Sequence, residues 1–214
     1  MINSKKSEVL KLLDSYRYFG IEYIDAINCK LNKNISKLPN TIDELIMDVS
    51  HCSLCDLSKS DEKFVYGVGD SLSNIYIIGT NHYLFKSNQV MQTFKDMIEK
   101  VLLLKFNDVY LTNIVKCSAK ENITQFHNAV DACENYIYKQ IEIAKPKIII
   151  TLDFAFNLFM KSDEKLMDVT GNIYDYNGIK LIPLLHPEFV YKNPSYKQRM
   201  FKDLTKIKNL LEKL

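Results

Sequence analysis

From residue 64 to the C-terminus, short β-branched runs alternate with longer stretches of helical periodicity. This alternation constrains the fold more than any other feature of the chain. Residues 75–79, 109–115, 148–152 and 179–185 read as strands, and residues near 90–104, 123–144 and 154–161 as helices. Pro146 ends the second of these helices, because a proline cannot continue the hydrogen-bond ladder. Ser195 and Gln198 form a capping-box pattern that predicts a last helix to the C-terminus. Strands alternating with helices predict a parallel sheet covered on both faces. In such sheets the site lies beyond the carboxyl ends of the strands. Those ends are Gly79-Thr80-Asn81-His82, Asn113 through Cys117, Leu152-Asp153 and Leu185-His186-Pro187. Polar residues gather there and are missing from the strand interiors.

Residues 1–48 read as a helical extension, with 49–214 as the main domain. Val9, Leu12, Leu13, Tyr16 and Phe19 recur at near-helical spacing, and Thr41 with Glu44 forms a capping box opening a second short helix. Of the 214 residues 47% are apolar, enough for a sizeable core, and 25% are charged with a net charge of +2. Those values exclude a disordered tail, a collagen-like chain and a strongly basic packaging protein. No apolar run reaches the roughly 18 residues of a membrane span. The N-terminus has no signal-peptide apolar segment. The chain is expected to be cytoplasmic and monomeric, with no membrane partner.

Five cysteines in a reducing compartment do not predict a disulfide framework. Cys52 and Cys55 form C-x2-C in a polar loop, where both sulfurs can turn to one side. Cys117 follows the second strand, and Cys133 lies on the helix after it. Four thiolates suit a tetrahedral zinc or an iron–sulfur cluster, and spacing does not choose between them. Cys133 also falls on the apolar stripe Phe126, Val130, Cys133, Ile137, which fits a core thiol. Cys29 has no partner of obvious spacing.

Taken together, HCSLCDL from His51, FVYGVGD at 64–70, VYLTNIVKC at 109–117, Cys133, PKIIITL at 146–152 and LLHPEFVYKNPSYK at 184–197 resemble one family. They are similar to the four-iron–four-sulfur uracil-DNA glycosylases, family 4 of that superfamily, from about Cys52 to the C-terminus. The resemblance implies a three-layer α/β/α fold with a four-stranded parallel sheet. It implies a 4Fe–4S cluster, rather than zinc, on Cys52, Cys55, Cys117 and Cys133. It further implies DNA as the partner, with uracil in single- or double-stranded DNA as the substrate. The first motif departs from the family's GEAPG. It reads Gly79-Thr80-Asn81-His82-Tyr83, without the carboxylate that helps organise the attacking water. Elsewhere in the superfamily the third motif position is Asp or Asn, as in GQDPY and GINPG, which Asn81 and Tyr83 resemble.

Excising a base requires the nucleotide to leave the stack and enter a pocket. As the N-glycosidic bond breaks, charge develops on the leaving base, and a donor aimed at its carbonyl oxygen stabilises it. His186 is expected to be that donor and Asn81 to hold the water. Asn113 is expected to read the base edge, with Gly79, Thr80 and Tyr83 completing the base pocket. The segment around Val190, Tyr191 and Lys192 offers a wedge for the space left by the flipped base. From His186 onward there are seven Lys and Arg against three Asp and Glu. Lys192, Lys197 and Arg199 are the expected phosphate contacts. The alternative is a non-catalytic DNA-binding or lesion-sensing relative that keeps the cluster and has lost the first motif.

Overall fold

The computed structural model describes residues 38–59, 64–80, 88–117 and 123–213, with the side chains of 123–127 excepted. The chain divides into two compact units, Met1–Asn34 and Ile35–Leu214. The helical reading of 1–37, Cys29 included, lies outside the described residues. Helix α1, Ile42–Ser50, opens where the capping box places it. The Thr41 side chain accepts from the Glu44 backbone N–H, and its hydroxyl donates to the Glu44 carboxylate. Ile42, Leu45 and Val49 of α1 are buried in the same core as the sheet. The expected boundary at residue 48 therefore falls inside a helix of the second unit.

Strand β1 is Gly67–Gly69 and β2 is Ile75–Gly79. Helix α2, Asn88–Asp96, continues into a wider π-helical segment, Met97–Leu102. It stops at Leu103, which turns left-handed at φ 58°. Strand β3 is Tyr110–Asn113, followed by the long α3, Ile123–Ala144. After α3, Lys145 turns left-handed at φ 49° and its N–H returns to the Ile141 carbonyl. Pro146 then keeps the chain from resuming the helix. Strand β4, Ile148–Leu152, leads into the short helices α4, Ala155–Met160, and α5, Leu166–Val169. Strands β5, Tyr174–Tyr176, and β6, Ile179–Leu184, form a hairpin. Helix α6, Pro187–Lys192, and helix α7, Lys197–Leu211, complete the chain. The capping box expected from Ser195 does not form. A 3₁₀ turn, Pro194–Tyr196, takes its place, and α7 starts without a side-chain cap.

The sheet order is β1-β3-β2-β4-β6-β5. The four central strands are parallel, as the alternation of strands and helices predicts. Among the described residues the four-stranded expectation is corrected to a mixed sheet of six, because β1 and β5 add short antiparallel edges. Strand β1 has no apolar run to betray it. Its glycines let it lie against β3: a β-carbon on Gly69, at φ 101°, would stand 2.0 Å from the Val109 carbonyl oxygen.

The period of two along each strand sorts side chains to two cores. Tyr76, Ile78, Ile149 and Leu181 share one with α1 and α3. Ile75, Ile77, Ile148, Ile150 and Ile182 share the other with α2 and α7. Burying each such isoleucine contributes about 1.5–3 kcal/mol relative to leaving it in water. Both faces of the sheet are therefore closed, and the carboxyl ends of the parallel strands remain as the place for a site.

Candidate active site

The carboxyl ends of β2, β3, β4 and β6 bring Gly79, Thr80, Asn113, Asp153 and His186 to one rim of the sheet. Gly79 and Asn113 stand opposite each other in the β2–β3 register. The register is carried past the strands, since Ile114 and Val115 donate to the carbonyls of Gly79 and Thr80. Thr80, Asn113 and His186 are all buried. Asn81 and Tyr83 lie outside the described residues, so their expected roles have no geometry here.

His186 ends the β6 segment and caps α6. Its Nδ1 accepts the Glu188 backbone N–H at 3.1 Å. A ring nitrogen that accepts from an N–H presents its lone pair, so the ring hydrogen sits on Nε2. Helix capping thereby sets the tautomer, and Nε2–H becomes the donor that His186 turns toward the rim.

Asp153 faces it. The Asp153 Oδ2 lies 3.9 Å from His186 Nε2 and accepts the Thr80 hydroxyl at 3.3 Å. Asp153 also adopts a left-handed backbone, φ 53°, directly after β4. Burial raises its carboxyl above the usual range. His186 and the Thr80 hydrogen bond pull it back, and the Glu188 charge adds to the rise. Asp153 stood among the strand-end polar residues in the sequence, but nothing there linked it to Thr80 or His186.

A raised folded-state value has a definite sign in stability. Above the ordinary value of 3.8 the unfolded chain loses this proton first, so the folded state binds more protons and stability falls as pH rises. The loss is complete once pH passes the folded value. Asp153→Asn removes that penalty and also suits the left-handed backbone. The variant is expected to melt higher than the parent at pH 8, with the difference shrinking as pH falls toward 4. An equal melting temperature at pH 8 would contradict this.

The cysteine site lies at the other side of the β3 end. Cys52 follows α1, with its N–H bonded to the Val49 carbonyl, and Cys55 opens a 3₁₀ turn whose Ser58 bonds back to the Cys55 carbonyl. Cys117 follows β3 and Cys133 is buried on α3, between Val130 and Ile137 as its stripe implies. All four are free thiols, and Cys52, Cys55 and Cys117 pack against the α1–α3 core. Burial pushes the Cys117 thiol up to about 11, with Cys133, Cys55 and Cys52 adding to the rise. Burial likewise raises Cys133, which accepts a hydrogen bond from the Lys116 backbone. Four thiols within electrostatic reach of each other, one buried and three partly buried, with a backbone donor aimed at one sulfur, fit a group that accepts four thiolates. Among the described residues no three His, Cys, Asp or Glu side chains close round a point as one metal ion requires.

Lys116, next to Cys117, carries no exposed charge. Its ammonium is buried on Gln140 Oε1 at 2.6 Å, Thr112 Oγ1 at 2.8 Å and the Tyr66 carbonyl at 3.4 Å. Burial pushes its value down to about 7. It ties β3 to α3 beneath the cysteines and is not a phosphate contact.

The basic segment divides. Val190 is 1% exposed and belongs to the α2–α7 core, which corrects its expected place on DNA. Pro187 and Val190 share the buried face of α6, three residues apart, so Tyr191 takes the outer face and is exposed. Lys192 is exposed but pairs with Glu188 at 2.7 Å. Lys197 is exposed at the start of α7, and Arg199 is half-buried with its guanidinium on the Met167 carbonyl.

A family model described as the uracil DNA glycosylase superfamily matches residues 63–207. A type-4 uracil-DNA glycosylase of Archaeoglobus fulgidus is 27% identical, over 81% of this chain and 94% of its own. One from Saccharolobus solfataricus is 28% identical, over 80% of this chain and 87% of its own. A DNA polymerase of Bacillus phage SP01 is 28% identical over 75% of this chain, but the match spans only 18% of that protein.

Proposed function

Since the chain belongs to the uracil DNA glycosylase superfamily, we propose that it is a DNA-repair glycosylase hydrolysing the N-glycosidic bond of uracil in DNA. One observation carries this reading. His186 is buried at the sheet rim with its Nδ1 held by the α6 cap, which leaves Nε2–H for the site, and the buried Asn113 ends β3 on the same rim, with β2 and β4 between the two. As the bond breaks, negative charge grows on the uracil carbonyl, and Nε2–H meets it where water is excluded. The Asn113 amide, which both donates and accepts, pairs with a carbonyl and an N–H on the base edge and so rejects cytosine. Asn81 orients the attacking water. Cys52, Cys55, Cys117 and Cys133 hold a 4Fe–4S cluster, which supplies no chemistry to the base and ties the segment after α1 to β3 and α3.

The non-catalytic reading draws on the missing carboxylate of the first motif. Single-turnover base release from uracil-containing single- and double-stranded DNA separates the two readings. Release on either strand form supports the glycosylase, and the same assay with hypoxanthine tests another deaminated base. Binding without release of any base supports the lesion-sensing relative. No described helix is long and apolar enough to cross a membrane, and the protein is proposed to act as a monomer on DNA.

DNA affinity is expected to fall steeply with salt. Lys197→Glu should weaken binding to all sequences alike and flatten the slope of log K against log salt by about 0.7–0.9 for each phosphate no longer neutralised. Lys192→Glu should do less, because Lys192 is already shared with Glu188. Arg199→Ala should lower thermal stability more than affinity, because it removes the guanidinium hydrogen bond to the Met167 carbonyl. A salt slope unchanged by Lys197→Glu would move the DNA path away from the start of α7.

A further inference from the structure

We infer that Asp153 supplies the carboxylate of the water site, delivered from the end of β4 in place of an acid in the first motif. The inference rests on the glycosylase reading. Its ground is a juxtaposition of three strands: one oxygen of Asp153 takes the Thr80 hydroxyl from β2 and stands 3.9 Å from the His186 ring after β6.

Thr80 occupies the motif position where a carboxylate would otherwise project from β2. Here that position carries a hydroxyl, and the hydroxyl is spent on Asp153. A negative group thus returns to the same neighbourhood by a different strand. The backbone supports the assignment. Asp153 holds φ 53° immediately after β4, a conformation glycine or asparagine adopts more readily than aspartate. A carboxylate that is strained, half-buried and raised by burial costs stability, and such costs gather at functional sites. It is not neutralised by a lysine or arginine: among the described residues the charged or titratable groups facing it are His186 and Glu188. A carboxyl raised toward neutrality is also the better proton acceptor.

The step balances within these groups. The bond from C1′ to the base nitrogen breaks, and its electron pair leaves with the uracil, whose carbonyl charge His186 Nε2–H holds. The water oxygen forms the new bond to C1′, and one of its protons passes to the Asp153 carboxylate. The remaining hydroxyl becomes the sugar hydroxyl of the abasic product. Asp153 then releases its proton, which neutralises the uracil anion through solvent.

The test is Asp153→Asn, an isosteric change that the left-handed backbone accepts, so the protein keeps its fold. Single-turnover uracil release at pH 8 should fall about 10²–10⁴-fold, the range for a lost general base. The dissociation constant for uracil-containing DNA should change less than threefold. The parent rate should climb with pH as the carboxylate ionises, and the Asp153→Asn variant should lose that limb. Adding Thr80→Glu to Asp153→Asn should restore the rate to within about tenfold of the parent, because an acid from β2 reaches the same space. Equal rates for Asp153→Asn and parent would overturn the inference and leave the glycosylase reading standing. A slow variant whose DNA binding or melting temperature falls in step, without rescue by Thr80→Glu, would also overturn it, since Asp153 would then be structural. A parent that releases no base overturns both readings together.

Discussion

Replacing His186 by alanine is expected to slow uracil release about 10²–10³-fold, the usual penalty for losing one donor to a developing charge. Binding to uracil-containing DNA should change far less, because the charge that Nε2–H meets appears only as the bond breaks. The substitution has a second consequence. The His186 Nδ1 caps α6 by accepting from Glu188, and losing a cap costs about 0.5–2 kcal/mol. His186→Asn separates the two effects. Its short side-chain oxygen can still cap the helix, but it cannot place a donor where Nε2–H stands. Thermal melting should therefore recover in the asparagine variant while the rate stays low. A rate that recovers with the cap would make His186 structural. Single-turnover kinetics with a parallel melting curve reads both.

The second large effect concerns the cysteines. Purified protein should carry about four irons per chain and a broad visible absorbance. Cys133→Ser should remove both. Cys133 is buried on α3 with a backbone donor on its sulfur, so a serine hydroxyl there is a poor substitute for a thiolate. Stability should fall with the iron. A cluster spanning Cys55 and Cys117 closes a loop of roughly 60 residues, for which the chain-entropy estimate is about 4 kcal/mol. In a domain of this size that is roughly 8–16 °C of melting temperature. Cys29→Ser is the control and should change neither iron nor colour. Stoichiometric zinc without iron after anaerobic preparation would replace the cluster by a zinc site. Full iron in Cys133→Ser would remove Cys133 from the ligands.

The two predictions probe different parts of the rim. In the proposed mechanism His186 acts where charge appears, and the proposed cluster on the cysteines ties the segment after α1 to β3 and α3. Lys116, next to Cys117, bridges β3 and α3 from a fully buried position. A loss of activity in a cysteine variant therefore needs a melting curve before it is assigned to chemistry. The Asp153 substitution shows the opposite pattern, with stability expected to rise as the rate falls, which is the trade expected of a residue kept for function.

Much of this protein was legible in its sequence because the relevant physics is local. The central strands are continuous apolar runs, since a parallel strand buried on both faces must be apolar throughout. Pro146, the Thr41 capping box and the His186-Pro187 step mark element ends for equally local reasons. The four cysteines stood out by residue type and spacing alone. What required the tertiary structure depends on neighbours distant in the chain. Strands β1 and β5, reading GVG and YDY, exist only because β3 and β6 offer edges to pair with. Val190 looked available as a wedge, and the helical period of α6 turned it into the core while Tyr191 faced out. Thr80 and Asp153 are separated by 73 residues, and only the β2–β4 pairing brings their oxygens within 3.3 Å. Strand order is decided by which buried faces fit together, a property of the assembled layers that no single segment contains, and that order alone put a carboxylate beside His186.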